Sequence, residues 1–404
     1  VCLVSAEGPG TFEPDKSFLS EAPDIAAMFG RFRTMLGGYK DADVVTRNMY
    51  PPRVDDLPKG SLENPILGGL HCYAWEETGF PVEYVDHFNE HLRFMTVTSA
   101  HVQRIMVDNG VCVPAYVVGN GVDHLPLDVE LEQVPILPRR IKNAQRVFIH
   151  VSSCFPRKGA DVLLKAWAAA FGDREDVALI IKTFENPHND IAAQIASTSG
   201  LSQVHLISDD LSAIEMAALI ASAHIAVLPS RAEGFGLPVA EALMAGCRVI
   251  TTGWSGQTIF KGCPLLRFID YDLVAADSHL GAGDSLWAEP DLPDLVNALN
   301  EATEAALPTS AEQQEARDWL LDRFTWDAVA QRSIAAVRHA AANPIASPRI
   351  GWISTFNTRC GIATYSEHLL DHMPNDDIIV LAPDSDSTVQ PDESLPYPVV
   401  RCWS

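Results

Sequence analysis

Two glutamates eight positions apart, Glu233 and Glu241, close the two ends of the run Glu233-Gly-Phe-Gly-Leu-Pro-Val-Ala-Glu241. The apolar, β-branched Ile225-Ala-Val-Leu-Pro229 before it predicts a short buried strand. Leu237 to Ala245 after it predicts a helix, with Pro238 just inside the start, where its missing N–H costs nothing. Gly234 and Gly236 let the loop backbone come close to a ligand. The free amides and positive dipole end of the helix then favour an anion, and the amides of Phe235 to Leu237 are the candidate cradle. A carboxylate is a poor phosphate ligand but suits a pair of sugar hydroxyls. The pattern therefore predicts a site for a nucleotide sugar. A plain strand–loop–helix with two solvated glutamates is the competing account.

Positioning such a site takes a sheet whose strand ends converge. From Arg146-Val-Phe-Ile-His-Val151 onward, strands and helices alternate: helix 160–171, strand 177–182, helix 190–198, strand 204–207, helix 212–222 and strand 225–228. Alternation of this kind implies a parallel sheet covered on both faces, with ligands beyond the carboxyl ends of its strands. Lys158, in Phe155-Pro-Arg-Lys-Gly159, follows a strand and precedes a helix, so it can converge on Glu233. A cation is disfavoured at a helix start, so an anionic partner is expected for it. Lys182 ends its strand and is a further pocket candidate, with a solvated lysine as the alternative.

Upstream, Phe94-Met-Thr-Val-Thr98 predicts a strand, Ser99 a cap for a helix through Asp108, and Val113–Val118 a second strand before the turn Gly119-Asn-Gly-Val-Asp123. Pro51–Pro58 is loop-rich, and residues 136–145 form a Pro- and Arg-containing linker. Downstream, Ser310–Ala341 is an amphipathic stretch broken at Phe324-Thr-Trp326. A new strand then begins at Arg349-Ile-Gly-Trp-Ile-Ser354, followed by a helix and a strand at Ile378–Ala382.

Pro229-Ser-Arg-Ala-Glu-Gly-Phe-Gly-Leu-Pro-Val-Ala-Glu-Ala-Leu-Met-Ala-Gly246, with the strand Arg248–Thr252 and the Gly253 turn, resembles the signature of retaining GT-B glycosyltransferases of the group 1 (family 4) class. The resemblance implies an α/β GT-B fold, with two Rossmann-like domains facing a cleft. It implies domains at 1–137 (acceptor side, partial) and 138–343 (nucleotide-sugar binding), with 344–404 starting a further Rossmann-like unit. By resemblance, Lys158 neutralises the diphosphate, Glu233 lies against the donor sugar, and Glu241 accepts from the ribose hydroxyls. The family's usual arginine, five residues before the lysine, is replaced by Ser153, and Arg157 is the nearby cation that compensates. Asp209 and Leu211 match a loop bordering the base, although Asp210 or Ser212 as a helix cap accounts for that segment equally well. Gly256-Gln257 matches part of a later loop. Trp75–Pro81 resembles a donor-facing segment of the first domain, which makes His71 a candidate near the donor sugar, with a structural histidine as the alternative, and Glu76 a candidate for contacting the acceptor or donor sugar. Relatives need no metal or cofactor, using the lysine, the arginine and the helix dipole instead.

Of 404 residues, 29 are basic and 53 acidic, and a net charge of −24 argues against a general nucleic-acid binder. Apolar runs such as Val162–Phe171 carry polar interruptions and are too short to cross a bilayer. The eight cysteines show no CxxC spacing, which fits a reducing cytoplasm. An acceptor that is a glycan or lipid-linked leaves the inner face of the membrane open as a working place. The chain starts with Val and carries a domain-opening pattern at its far end, Thr355-Phe-Asn-Thr-Arg-Cys-Gly-Ile-Ala-Thr-Tyr-Ser366. A piece of a tandem transferase is the preferred reading, with circular permutation as the alternative. Glu7-Gly-Pro-Gly-Thr11 is a weak match to the opening glycine loop. The expected function is hexose transfer in bacterial polysaccharide or lipopolysaccharide assembly. The rival is a non-catalytic GT-B module that binds nucleotide sugar or glycan and scaffolds a partner transferase.

Overall fold

The computed structural model describes residues 20, 23–27, 44–47, 67–127, 141, 144–277, 282–342, 350–373, 378–384 and 388–403. Glu7–Thr11, Pro51–Pro58 and residues 136–140 of the linker lie outside them. The chain divides into two compact units, Val1–Ala341 and Ala342–Ser404.

The first unit opens with a parallel sheet of β1 (Val44–Arg47), β2 (Leu67–Tyr73), β3 (Phe94–Val97) and β4 (Ala115–Val117), in that order. Its core is an aromatic group of Tyr73, Trp75, Phe80 and Phe88, in which Trp75 and Phe80 meet edge-on at 4.7 Å. The helices Val82–His91 and Ala100–Asp108 cover it. Ser99 caps the second of them, its side chain accepting from Val102 N–H, as expected.

The second sheet holds β5 (Arg146–Val151), β6 (Val177–Lys182), β7 (Val204–Ile207), β8 (Ile225–Leu228), β9 (Arg248–Thr252) and β10 (Leu266–Ile269). All pairs are parallel and the order is β10-β9-β8-β5-β6-β7. Successive residues point to opposite faces. Val147, Ile149, Ala178, Ile180 and Leu228 therefore pack under the helices Ala213–Ala221 and Leu237–Met244. Phe148, Leu179, Ile181 and Val227 pack under Ala160–Ala170 and Leu292–Glu304. The chain runs outward from β5 and then returns to its other side at β8. The order thus reverses between β5 and β8, which is where open α/β sheets take ligands.

A hairpin of β11 (Tyr271–Ala275) and β12 (Leu286–Pro290) and the helix Leu292–Glu304 are additions to the predicted elements. The predicted break near Phe324 separates Ser310–Leu321 from Trp326–Ala342. The latter helix packs back on the first sheet: Asp123 accepts from Trp326 N–H at 2.8 Å, and Arg332 Nε donates to the Val118 carbonyl at 2.8 Å.

The second unit is a parallel sheet of β13 (Ile350–Ile353), β14 (Ile378–Pro383) and β15 (Val399–Trp403) with the helix Gly361–Leu370, around Phe356, Leu370 and Val380. The architecture is the expected α/β one of Rossmann-like parallel sheets.

Candidate active site

The β5–β8 ladder stops at Phe148–Ile225 and Ile149–Ala226. Beyond it the fully buried His150 bridges the two strands, with Nδ1 donating to the Val227 carbonyl at 2.8 Å and Nε2 accepting from Ser152 Oγ at 2.7 Å. Burial pushes its imidazole down to about 4, so it is neutral. Past the strand ends, a single 3₁₀ turn, Pro156–Lys158, meets the loop Pro229–Glu233. Gly159 makes that meeting possible: its φ is +67°, and a Cβ there would lie 2.0 Å from the Pro229 carbonyl.

At this junction Lys158 Nζ donates to Glu233 Oε1 at 2.6 Å, and Ser230 Oγ donates to the same oxygen at 2.7 Å. Arg157 Nη1 donates to the Ala232 carbonyl at 2.8 Å and reaches Glu233 Oε2 at 3.4 Å, while Nη2 pairs with Glu76 Oε1 of the first sheet's side at 3.1 Å. Burial disfavours the Glu233 charge, but Lys158 and Arg157 outweigh it and hold the carboxyl below its ordinary value. At Lys158 burial wins and lowers the ammonium despite Glu233.

The loop is braced from behind. Glu233 N–H donates to Ser255 Oγ at 2.9 Å and its carbonyl accepts from Gly256 N–H at 2.8 Å. Gln257 Nε2 holds the Thr252 carbonyl at 2.7 Å, which gives the Gly256-Gln257 segment a supporting role. From the first half, Thr98 Oγ1 and Ser99 Oγ donate to the Gly234 carbonyl at 3.0 and 2.6 Å. Gly236, at φ +92°, turns the chain into the helix Leu237–Met244, which has no side-chain cap. Phe235 is anchored below, 5.1 Å from Phe260 and 5.6 Å from Phe324. The amide end of the helix is thereby presented next to Glu233, fit for an anion.

Glu241 meets His124 Nε2 at 2.9 Å. Burial raises its carboxyl above the ordinary value, and His124 offsets that in part. Lys182 is buried and donates to the Thr183 carbonyl at 2.7 Å. Ser212 carries a capping box with Glu215, so the cap account of the 208–212 segment is realised. At position 153 the carbonyl is held by Asn186 Nδ2 at 2.9 Å.

His71 Nδ1 lies 3.1 Å from Thr96 Oγ1 and Nε2 lies 3.4 Å from Cys72 Sγ; burial lowers its pKa. Among the described residues no hydrogen bond or ion pair joins it to Glu233 or Lys158. A cavity of about 550 Å³ opens beyond β6 and β7, lined by Thr183, Asn186, Asn189, Leu206 and Ser208 among others; Glu233, Lys158 and Glu241 do not line it.

His150, His124, Arg231 and His101 were not singled out from sequence. His101 Nε2 donates to the Glu76 carbonyl at 3.0 Å and its ring packs edge-on against Trp254 at 4.8 Å. Their partners lie on distant segments, which no local pattern encodes.

Residues 138–258 match the family described as "Glycosyl transferases group 1". Over 248 residues the chain is 27% identical to the MMP alpha-(1->4)-mannosyltransferase of Mycolicibacterium hassiacum, covering 61% of this chain and 54% of that protein. The chain thus matches about half the length of that relative. Among solved structures, sucrose-phosphate synthase of Thermosynechococcus elongatus is similar with a TM-score of 0.58 and 16% identity, covering 83% of this chain and 82% of that one. The Anabaena HepE structure in complex with UDP and glucose has a TM-score of 0.57 and 16% identity, with 80% of this chain and 83% of that one covered. Both likenesses are of fold.

Proposed function

We propose that the chain, which matches the group 1 glycosyltransferase family over residues 138–258, is a transferase of that family that moves a hexose, with retention of configuration, from a nucleoside diphosphate sugar to a glycan or lipid-linked acceptor. The observation that carries this reading is the Lys158–Glu233 pair at the β5/β8 reversal, beside the open amide end of the helix Leu237–Met244. Sugar transfer breaks the bond from the anomeric carbon to the diphosphate. Negative charge grows on the leaving phosphate and positive charge on the sugar. Lys158, Arg157 and the amides of Phe235 to Leu237 meet the first. Glu233 meets the second, with His71 as the further candidate beside the sugar. Glu241 and His124 take the ribose hydroxyls, with Lys182 at the pocket wall.

Arg157 fills the office of the arginine missing at 153, since its guanidinium already reaches Glu233. Its other nitrogen is held by Glu76. An incoming diphosphate brings the charge that exchanges with that carboxylate. The scheme needs no metal. A mannosyltransferase relative and a fold neighbour holding UDP and glucose support a hexose and a nucleotide. Polysaccharide or lipopolysaccharide assembly in the cytoplasm, with the lipid acceptor at the membrane face, is the context we assign. Among the described residues no helix is long and apolar enough to cross a membrane.

The test is product formation from UDP-, GDP-, ADP- and dTDP-sugars by wild type and Glu233→Ala. Turnover lost in the variant supports transfer. No turnover in wild type, with nucleotide binding intact, favours the scaffold reading that Ser153 invites.

A further inference from the structure

Arg231 stands two residues before Glu233, yet its guanidinium is engaged wholly inside the protein. Nε donates to Glu289 Oε2 at 2.5 Å. Nη1 donates to Asp161 Oδ1 at 2.8 Å and to the Pro156 carbonyl. Nη2 donates to Asp161 Oδ2 and Glu289 Oε1, each at 2.9 Å. A guanidinium has five N–H groups, and these contacts use all of them. No donor remains for a phosphate, so this arginine is not a clamp on the substrate. Its carbon also lies 5.5 Å from the Trp287 ring centre.

The main chain is tied as well: Arg231 N–H donates to the Arg157 carbonyl at 2.7 Å, and its carbonyl accepts from Ala288 N–H at 3.0 Å. Arg231 therefore grips the chain at Pro156, Arg157 and Asp161, on both sides of Lys158, and fixes that segment to the Glu233 loop and to β12. A lysine here has three donors and no planar fork, and could not span the same acceptors.

We infer that Arg231 is a positioning residue: it sets Lys158 where the charge of a nucleoside diphosphate is met. This rests on the nucleotide-sugar reading above. The alternative is that Arg231 only holds the fold together.

Calorimetric titration of the wild-type chain with UDP, GDP, ADP and dTDP first identifies the diphosphate it takes. If none binds, the nucleotide-sugar reading falls, and this inference with it. With that diphosphate and the matching monophosphate, wild type, Arg231→Lys, Lys158→Ala and the double variant are then compared. Arg231→Lys is expected to weaken the diphosphate at least five-fold and the monophosphate less than two-fold. That loss should vanish in the Lys158→Ala background, because neighbours acting through one another are not additive. A loss under five-fold, an equal loss for the monophosphate, or the same loss without Lys158 would overturn the inference while leaving the binding site standing. Should Arg231→Lys fail to fold, Glu289→Gln loosens the grip more gently and must show a diphosphate loss with the same dependence on Lys158.

Discussion

Glu233 ends the Pro229–Glu233 loop, and Glu241 stands on the helix that follows, eight positions on. Both lose most of their water, with side chains 11% and 17% exposed. Burial alone would push both carboxyls up. Two cations and a serine hydroxyl reverse the shift at Glu233, whereas His124 offsets it only in part at Glu241. The difference lies in the neighbours, not in depth. Glu233 is already satisfied and serves to hold Lys158 and Arg157 in place. Glu241 keeps a net penalty for its charge, which further hydrogen-bond donors, such as the ribose hydroxyls proposed for it, would reduce.

The largest effect should come from the satisfied end. Glu233→Gln keeps the shape and removes the charge. Turnover is expected to fall about 10²–10³-fold, the scale of losing one preorganised electrostatic group. The buried cations left behind should also cost on the order of 3 kcal/mol of stability. Assay of product formation alongside urea unfolding checks both. Near-normal turnover would reduce Glu233 to a counter-ion and dissolve the contrast.

His150 sharpens the comparison, because at this residue burial is not overturned by a charge. It is neutral in the fold, with its pKa lowered from 6.5 to about 4. The unfolded chain therefore takes up a proton first as pH falls. Its contribution is complete above about pH 6.5 and is lost as pH falls from there toward 4, amounting to about 3 kcal/mol across that window. Urea midpoints at pH 7 and 4.5 should drop for wild type and drop less for His150→Gln. Equal drops would show that the imidazole is not held neutral.

How much of this was legible beforehand follows chain distance. The strands 177–182, 204–207 and 225–228 have the bounds that their apolar runs predict, and 248–252 those that the resemblance implies. Ser99 and Ser212 act as caps, because capping is settled within three residues. The helix Val82–His91 is legible in the same local way, from Pro81 before it, Glu83 in its first turn and Val85 and Phe88 three apart, although it is not among the predicted elements. The site divides in the same way. Lys158 beside Glu233 could be anticipated because both follow strand ends. His150 could not, since its acceptor Val227 belongs to the strand across the reversal, 77 positions away. The acceptors of Arg231 lie 70 and 58 positions off, and His124 lies 117 positions from Glu241. A sequence shows that a charged residue is present. Which charge faces it depends on the closed sheet.

At Glu241 the effects are smaller, and the effect on stability is opposite in sign. A hydrogen bond to a charged acceptor is worth about 1.5–3 kcal/mol, so on the proposed role of Glu241 as ribose acceptor Glu241→Ala should weaken the diphosphate at least tenfold in calorimetry. Stability should move the other way. A carboxyl whose pKa is raised in the fold contributes most below its unfolded value of 4.5, and that contribution is lost as pH rises through the folded value. Wild type therefore carries a small penalty at neutral pH that Glu241→Gln removes. Its melting temperature should sit slightly above wild type at pH 7 and converge with it near pH 4. Glu233→Gln should do the reverse, because a depressed carboxyl contributes above its unfolded value and loses that contribution as pH falls. A Glu241→Gln protein less stable than wild type at pH 7 would mean that His124 fully compensates the carboxylate. The two ends of the loop–helix would then be alike, and Glu241 would have no more to gain from a ribose than Glu233.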